Sequence, residues 1–199
     1  MIDLKKSQKL NLVLDLDATL ICSVEPHKVN KEKKKYSKLE SANMDDYYIV
    51  FERPYLDQFL DYIFKHYNVS IWTAASKDYA IFIIDKILLK NKTDRKLDWI
   101  FTSYHTKISE KKVDHSKSLK LLKELYKLDD YTLDNTIILD DNEEVFSKQK
   151  KNCIPAKPFD YKTKYPYKDT FLMDLIKEGG PLNIHNKSGC FNKLNCDKY

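Results

Sequence analysis

The sequence predicts an α/β fold with a central parallel sheet, on three observations. Short apolar runs alternate with segments whose apolar residues fall at helical spacing. The first run, Asn11-Leu12-Val13-Leu14, ends in two acids placed i and i+2, Asp15 and Asp17, followed by Thr19. Later runs also end in polar residues suited to handling phosphate. Strands alternating with helices imply parallel pairing through right-handed crossovers, and such sheets hold ligands at the carboxyl ends of their strands.

The first run does not alternate apolar with polar residues, so it reads as a strand buried on both faces. Strand alternation then puts Asp15 and Asp17 on one side of the chain as it leaves the sheet. Paired carboxylates there suit metal-assisted phosphoryl transfer, one as nucleophile and one as proton donor. A turn with a capping acid would leave the same pattern, so the later segments decide.

The bulk properties set limits. The chain has 199 residues, 42% hydrophobic and 13% aromatic, enough for one domain with a sizeable core. Charge is 33% but mixed, and the net of +5 allows anionic partners without demanding nucleic acid. Cys22, Cys153, Cys190 and Cys196 are scattered and read as free thiols. Cys190 and Cys196 lie near His185, but without the C-x-x-C spacing of a zinc knuckle. No apolar run approaches membrane-spanning length, and Met1 to Lys6 has no signal-peptide core. The expectation is a soluble monomer in nucleus or cytoplasm. Heavy use of Lys, Asn, Tyr and Ile suggests an AT-rich genome, viral or protozoan.

After Ile21-Cys22-Ser23-Val24, residues 25–46 form a polar, Lys-rich insertion with Lys28, Lys31, Lys33, Lys34, Lys35 and Lys38. It reads as a solvated insertion, with a basic flap or a nuclear localisation signal as alternatives. Tyr47 to Phe51 is aromatic and β-branched and reads as a strand. Pro54 suits a first helical turn, and Leu56, Phe59, Leu60, Ile63 and Tyr67 give a helix ending at Asn68. Val69 to Trp72 is a strand that delivers Thr73, Ala74, Ala75 and Ser76. Small residues and a hydroxyl there let a phosphate approach the backbone, although an ordinary turn capped by Ser76 reads as well. A helix from Asp78 to about Lys90 follows, then a strand over Leu97 to Phe101 and a polar loop from Thr102 to Ser116. A helix is expected from Lys117 to Lys127. A lysine at a helix start opposes the dipole, which is explained either by an anion within its reach or by the crowd of lysines around it, Lys111, Lys112, Lys120 and Lys123. Thr136 to Leu139 is a further buried strand ending in Asp140-Asp141-Asn142, a pair of acids suited to an oxygen-liganded Mg²⁺. Cys153 to Ala156 reads as a fifth short strand, and Thr170 to Lys177 as a helix stopped by Gly179-Gly180-Pro181. A single domain is thus drawn over residues 1–180, with a polar, loose tail over 181–199.

Four strand ends meet on one edge: Asp15 with Asp17, Thr73, a Lys-bearing loop, and Asp140 with Asp141. The segments Leu14 to Leu20, Arg53-Pro54-Tyr55-Leu56, Ile71 to Ser76 and Ile138 to Asn142 resemble the FCP/SCP-type phosphatases. These are the RNA polymerase II C-terminal-domain phosphatases and NLI-interacting-factor-like proteins of the haloacid dehalogenase superfamily. The resemblance runs from about Leu10 to about Lys177. It implies a three-layer sandwich, an aspartyl-phosphate mechanism and Mg²⁺. Residue by residue, it implies Asp15 as nucleophile, Asp17 as general acid then base, and Thr73 and Lys117 as phosphate ligands. Asp140 would steady Lys117 or a metal-bound water. Asp15, the Asp17 carbonyl and Asp141 would bind the metal. The Lys-rich insertion departs from the small C-terminal-domain phosphatases, which carry an apolar pocket for a substrate proline there.

The insertion over 25–46 is too short for a large cap domain, so the site is open and suits a phosphate on a macromolecule. The expected substrate is phosphoserine or phosphothreonine in a protein tail, such as the polymerase C-terminal repeat. The alternatives are a phosphatase of nucleic-acid phosphate ends and a catalytically silent binding module on the same fold.

Overall fold

The structure, a computed structural model, describes residues 9–29 and 37–188. Its centre is the strand β1, Leu10–Leu14, buried along its whole length. Around it lie β5 (Tyr67–Trp72), β6 (Leu97–Phe101), β7 (Thr136–Asp140) and β8 (Cys153–Pro155). All pair in parallel in the order β6-β5-β1-β7-β8.

Two-residue periodicity explains why β1 shows no polar alternation. Leu10, Leu12 and Leu14 enter one core with Val69, Ile71, Ile137 and Leu139, while Val13 enters a second with Trp72, Ile138 and Cys153. Helices cover both faces. The first core receives α1 (Leu56–His66), α2 (Lys77–Ile83), α6 (Phe171–Ile176) and α7 (Pro181–Ser188). The second receives Leu122 of α4 (Lys120–Glu124) and Val145 of α5 (Glu143–Lys148). Leu12, Val13 and Leu14 are fully buried, and each such side chain is worth roughly 1.5–3 kcal/mol. The result is a three-layer α/β sandwich with a central parallel sheet.

The sequence reading needs correction in several places. Ile21–Val24 is a strand, β2, and Ser41–Met44 within the insertion is another, β3. With β4 (Tyr48–Glu52) they form a separate antiparallel sheet in the order β2-β4-β3. The insertion is therefore not simply solvated chain. Lys31, Lys33, Lys34 and Lys35, on which the flap and localisation-signal readings rest, lie outside the described residues.

The expected loop from Thr102 to Ser116 is largely a helix, α3, Ser103–Val113. Only Thr106 and Ser109 are buried along it, so it carries no apolar stripe to read. It starts with a capping box between Thr102 and His105. The expected helix from Lys117 shrinks to α4, so Lys117 lies in the preceding loop and meets no helix dipole. α1 ends at His66, and β5 begins at the next residue. Pro54 precedes α1, whose N-cap is Tyr55 with φ of 66°. The helix expected to reach Lys90 widens into π-type turns over Ile84–Leu89.

The expected loose tail begins instead as the helix α7, with Leu182 fully buried and His185 almost so. Cys190 and Cys196 lie outside the described residues. Cys22 and Cys153 are not joined in a disulfide. Among the described residues no helix is long and apolar enough to cross a membrane.

Candidate active site

Parallel pairing brings the carboxyl ends of β1, β5 and β7 to one edge, and the loop bearing Lys117 reaches the same place. After Leu14 the chain makes a tight loop with Ala18 at φ of 58°, closed by Leu20 N–H donating to the Leu16 carbonyl at 2.8 Å. Leu16 and Leu20 are fully buried beneath it, so the intervening acids are held outward at the sheet edge.

Asp15 is 5% exposed. Its Oδ1 accepts from Lys117 Nζ at 2.5 Å, and its Oδ2 accepts from the Thr19 hydroxyl at 3.2 Å. Lys117 Nζ also donates to Asp140 Oδ2 at 2.7 Å. Asp140 Oδ1 in turn accepts from the Asn142 N–H at 2.9 Å. The Thr19 hydroxyl also lies 3.4 Å from Asp141 Oδ1. In the sequence Thr19 stands only as part of the motif, with no task of its own. Here it ties the acid after β1 to the acid after β7.

Burial alone would lower the Lys117 pKa, but Asp15 and Asp140 outweigh it and hold the ammonium above its ordinary range. Burial and the Asp15 charge push Asp140 up, against the pull of Lys117. Asp141 is likewise raised, by burial first and Asp15 second.

Carboxylate oxygens of Asp15, Asp140 and Asp141 lie within 4.8 Å of one another. Three acids against one ammonium leave the cluster with excess negative charge. Their oxygens suit a hard divalent cation, so the residues present fit the metal the family implies. Because Lys117 occupies the Asp15 and Asp140 side, Asp15 and Asp141 are the side chains placed to hold it.

Asp17 is partly exposed and faces β2 and α2 rather than the cluster. Its Oδ1 accepts from the Tyr79 hydroxyl at 2.5 Å and from Ser23 Oγ at 3.4 Å, and Ser23 and Tyr79 touch each other. Burial and the Asp15 charge raise the Asp17 pKa, outweighing these hydrogen bonds. A carboxyl inclined to keep its proton suits a general acid. Neither partner is legible in the sequence, because Tyr79 is 62 residues away and reads as an ordinary apolar helix position.

Thr73 is 1% exposed, and its Oγ1 accepts from the Ala75 N–H at 3.1 Å. A hydroxyl accepting in this way keeps its own hydrogen to donate. Ser76 caps α2 by accepting from the Tyr79 N–H. The strand-end turn is therefore a capped helix start, and it leaves the Thr73 hydroxyl hydrogen available to an acceptor.

The loop carrying Lys117 is clamped from two sides. Glu144 accepts from the Ser116 hydroxyl at 2.5 Å and the Ser116 N–H at 3.3 Å. Gln149 Nε2 donates to the Lys117 carbonyl at 2.9 Å, and its Oε1 accepts from the Leu119 N–H at 3.2 Å. Glu144→Ala leaves Ser116 without its acceptor, an expected cost of about 1–3 kcal/mol. With Lys117 less well placed, kcat should fall by roughly tenfold at unchanged KM. Thermal melts and steady-state kinetics check both parts.

Arg53 is the other residue whose task emerges only in three dimensions. It is 1% exposed and makes a two-point contact with Asp169 at 3.0 and 3.0 Å. Its Nη1 donates to the Thr19 carbonyl at 2.9 Å, and its guanidinium lies 4.3 Å from the Phe171 ring centroid. It therefore fastens the loop after β1 to the segment that follows β8.

A parallel sheet with a carboxylate cluster and a buried lysine at its edge is an arrangement suited to phosphoryl transfer. The chain belongs to the NLI interacting factor-like phosphatase family, which it matches over residues 10–179. It is 44% identical over 172 residues to CTD phosphatase-like protein 355R of Invertebrate iridescent virus 6, covering 83% of this chain and 94% of the viral one. It is 39% identical over 183 residues to the protein of the same designation from Invertebrate iridescent virus 3, covering 87% and 97%. Its fold matches the fission yeast RNA polymerase II CTD phosphatase Fcp1 bound to beryllium fluoride, with TM-score 0.57 and 21% identity. That match covers 96% of this chain and 55% of Fcp1, so the chain spans about half the length of that structure.

Proposed function

We propose that the chain is a Mg²⁺-dependent phosphatase of phosphoserine or phosphothreonine in a protein tail, acting through an aspartyl phosphate on Asp15. The observation that carries this is the Asp15 carboxylate, held between Lys117 and Thr19 and within reach of Asp141.

In the first step an Asp15 oxygen attacks phosphorus, and the bond from phosphorus to the substrate oxygen breaks. An alkoxide is a poor leaving group, so Asp17 gives it a proton. Lys117 and the Thr73 hydroxyl stabilise charge on the transferring oxygens. In the second step Asp17 takes a proton from water as that water attacks the phosphorus. Inorganic phosphate leaves and the Asp15 carboxylate is restored. Asp140 orients Lys117 throughout. Asp15, the Asp17 carbonyl and Asp141 would hold a divalent cation, which when bound would supply charge neutralisation where carboxylate meets phosphate.

The surroundings favour a macromolecular substrate. Beside Asp17 lies an open groove of about 320 Å³ lined by Ser23, Tyr48, Ala75, Ser76 and Tyr79. Among the described residues nothing closes over it, which suits a phosphate presented on an extended peptide. The designations of the viral relatives point the same way.

The test compares a phosphoserine peptide with a 5′-phosphorylated oligonucleotide, with Mg²⁺ and after chelation. Peptide turnover that is lost on chelation and restored by Mg²⁺ is expected. Turnover indifferent to chelation, or confined to the oligonucleotide, contradicts the proposal. If even an aryl phosphate is not hydrolysed, the fold serves binding alone.

A further inference from the structure

The segment after β8 has no part in the chemistry above, yet it leaves the sheet at the catalytic edge. Its backbone is tied to the catalytic loop, where the Phe159 N–H donates to the Ala18 carbonyl at 2.7 Å, one residue from Asp17. Phe159 and Tyr161 point inward and pack with Val24 and Phe51, Tyr161 stacking on Phe51 at 5.1 Å.

Between and beyond these anchors four lysines, Lys157, Lys162, Lys164 and Lys168, are exposed, together with Pro158, Asp160, Thr163 and Tyr165. Lys164 and Lys168 flank the Tyr165 ring at 5.3 and 4.8 Å, and Lys38 of the neighbouring insertion lies 4.5 Å from the Tyr167 ring centroid. Among the described residues, no carboxylate forms a salt bridge with Lys157, Lys164 or Lys168. Against these four lysines the segment sets two acids, of which only Asp160 is exposed, so the surface keeps an excess of positive charge. Asp169 is committed to Arg53, and Asp160 accepts from the backbone N–H of Lys162 at 2.8 Å. A cleft of about 250 Å³ opens here, lined in part by Lys157, Thr163, Tyr165 and Lys168.

A buried aromatic footing that fixes a row of lysines beside a catalytic loop is a built cationic surface. Resting on the phosphatase reading, we infer that this segment recognises anionic side chains, carboxylate or further phosphate, that flank the phosphorylated residue of a peptide. The lysines are carried on the segment that the Phe159–Ala18 hydrogen bond joins to the loop bearing Asp17. They select tails that carry several negative charges rather than an isolated phosphorylated residue. Such a contact acts on KM and on association, because exposed charges do not touch the reacting atoms.

The test measures binding of labelled phosphoserine peptides to the Asp15→Asn protein, with flanking residues either acidic or neutral. A 5′-phosphorylated oligonucleotide is the third probe. Tighter binding of the acidic peptide by roughly tenfold is expected, with the advantage lost at about 1 M salt, where the screening length is about 3 Å. Replacing Lys157, Lys164 and Lys168 together by Gln should remove that advantage and leave aryl phosphate turnover of the otherwise wild-type enzyme unchanged. Equal affinity for both peptides, or an acidic preference that survives the triple replacement, overturns the inference. So does an oligonucleotide that binds more tightly than the acidic peptide and depends on the same lysines. Aryl phosphate turnover reports on the phosphatase reading separately, so failure of one is not mistaken for failure of the other.

Discussion

Asp15→Asn is expected to abolish turnover of every phosphate ester, by roughly 10⁴-fold or more, the scale on which loss of a nucleophile acts in covalent catalysis. An amide oxygen is a far weaker nucleophile than a carboxylate, and no neighbour can replace it. Asp140 is committed to Lys117 and the Asn142 N–H, and Asp141 lies beyond the Thr19 hydroxyl. The fold should survive, because the substitution keeps size and removes one of three crowded acids. A melting temperature close to wild type, together with lost hydrolysis of an aryl phosphate, separates loss of chemistry from loss of structure.

Arg53→Ala should produce the largest loss of stability of any single change considered. Its side chain is wholly buried, and Asp169 is only 19% exposed. Removing one member of such a pair leaves the other charge without its partner, at a cost of about 3–5 kcal/mol. For a domain of this size that lowers the melting temperature by roughly 6–20 °C. Arg53→Lys should recover only part of it, because an ammonium cannot make the two-point contact with Asp169 and also reach the Thr19 carbonyl. Activity should fall as well, since Thr19 belongs to the loop that presents Asp15. An Arg53→Ala protein that melts like wild type contradicts the assigned anchoring role.

What is legible in the sequence follows from the physics of each element. β1 and β7 are buried on both faces, so uninterrupted apolar runs announce them and place the acids at their ends. The cluster of Asp15, Asp140 and Asp141 is thus written in the order of residues along the chain. The second sheet is hidden for the opposite reason: in β3 only Ala42 and Met44 turn inward, alternating with exposed Ser41 and Asn43, and two partly buried apolar positions in a Lys-rich stretch are too short a signal to read. α3 is hidden because its inward contacts are made by Thr106 and Ser109. Lys117 stands out in the sequence for a reason that does not hold in the fold. No helix dipole opposes it, and its two carboxylate partners explain its burial instead. Tyr79, Glu144, Gln149 and Asp169 gain their tasks only through pairings distant in the chain, which local spacing does not encode.

The most direct test of the central claim is a covalent trap. Asp17→Asn protein is mixed with Mg²⁺ and a ³²P-labelled aryl phosphate, whose leaving group needs little protonation. The first transfer should proceed while the second stalls for want of a base. The expected result is a stoichiometric label on the protein that is released by hydroxylamine, as an acyl phosphate is, and maps to the peptide containing Asp15. A label resistant to hydroxylamine, a label on another peptide, or full turnover without any trapped phosphate would contradict Asp15 as the nucleophile.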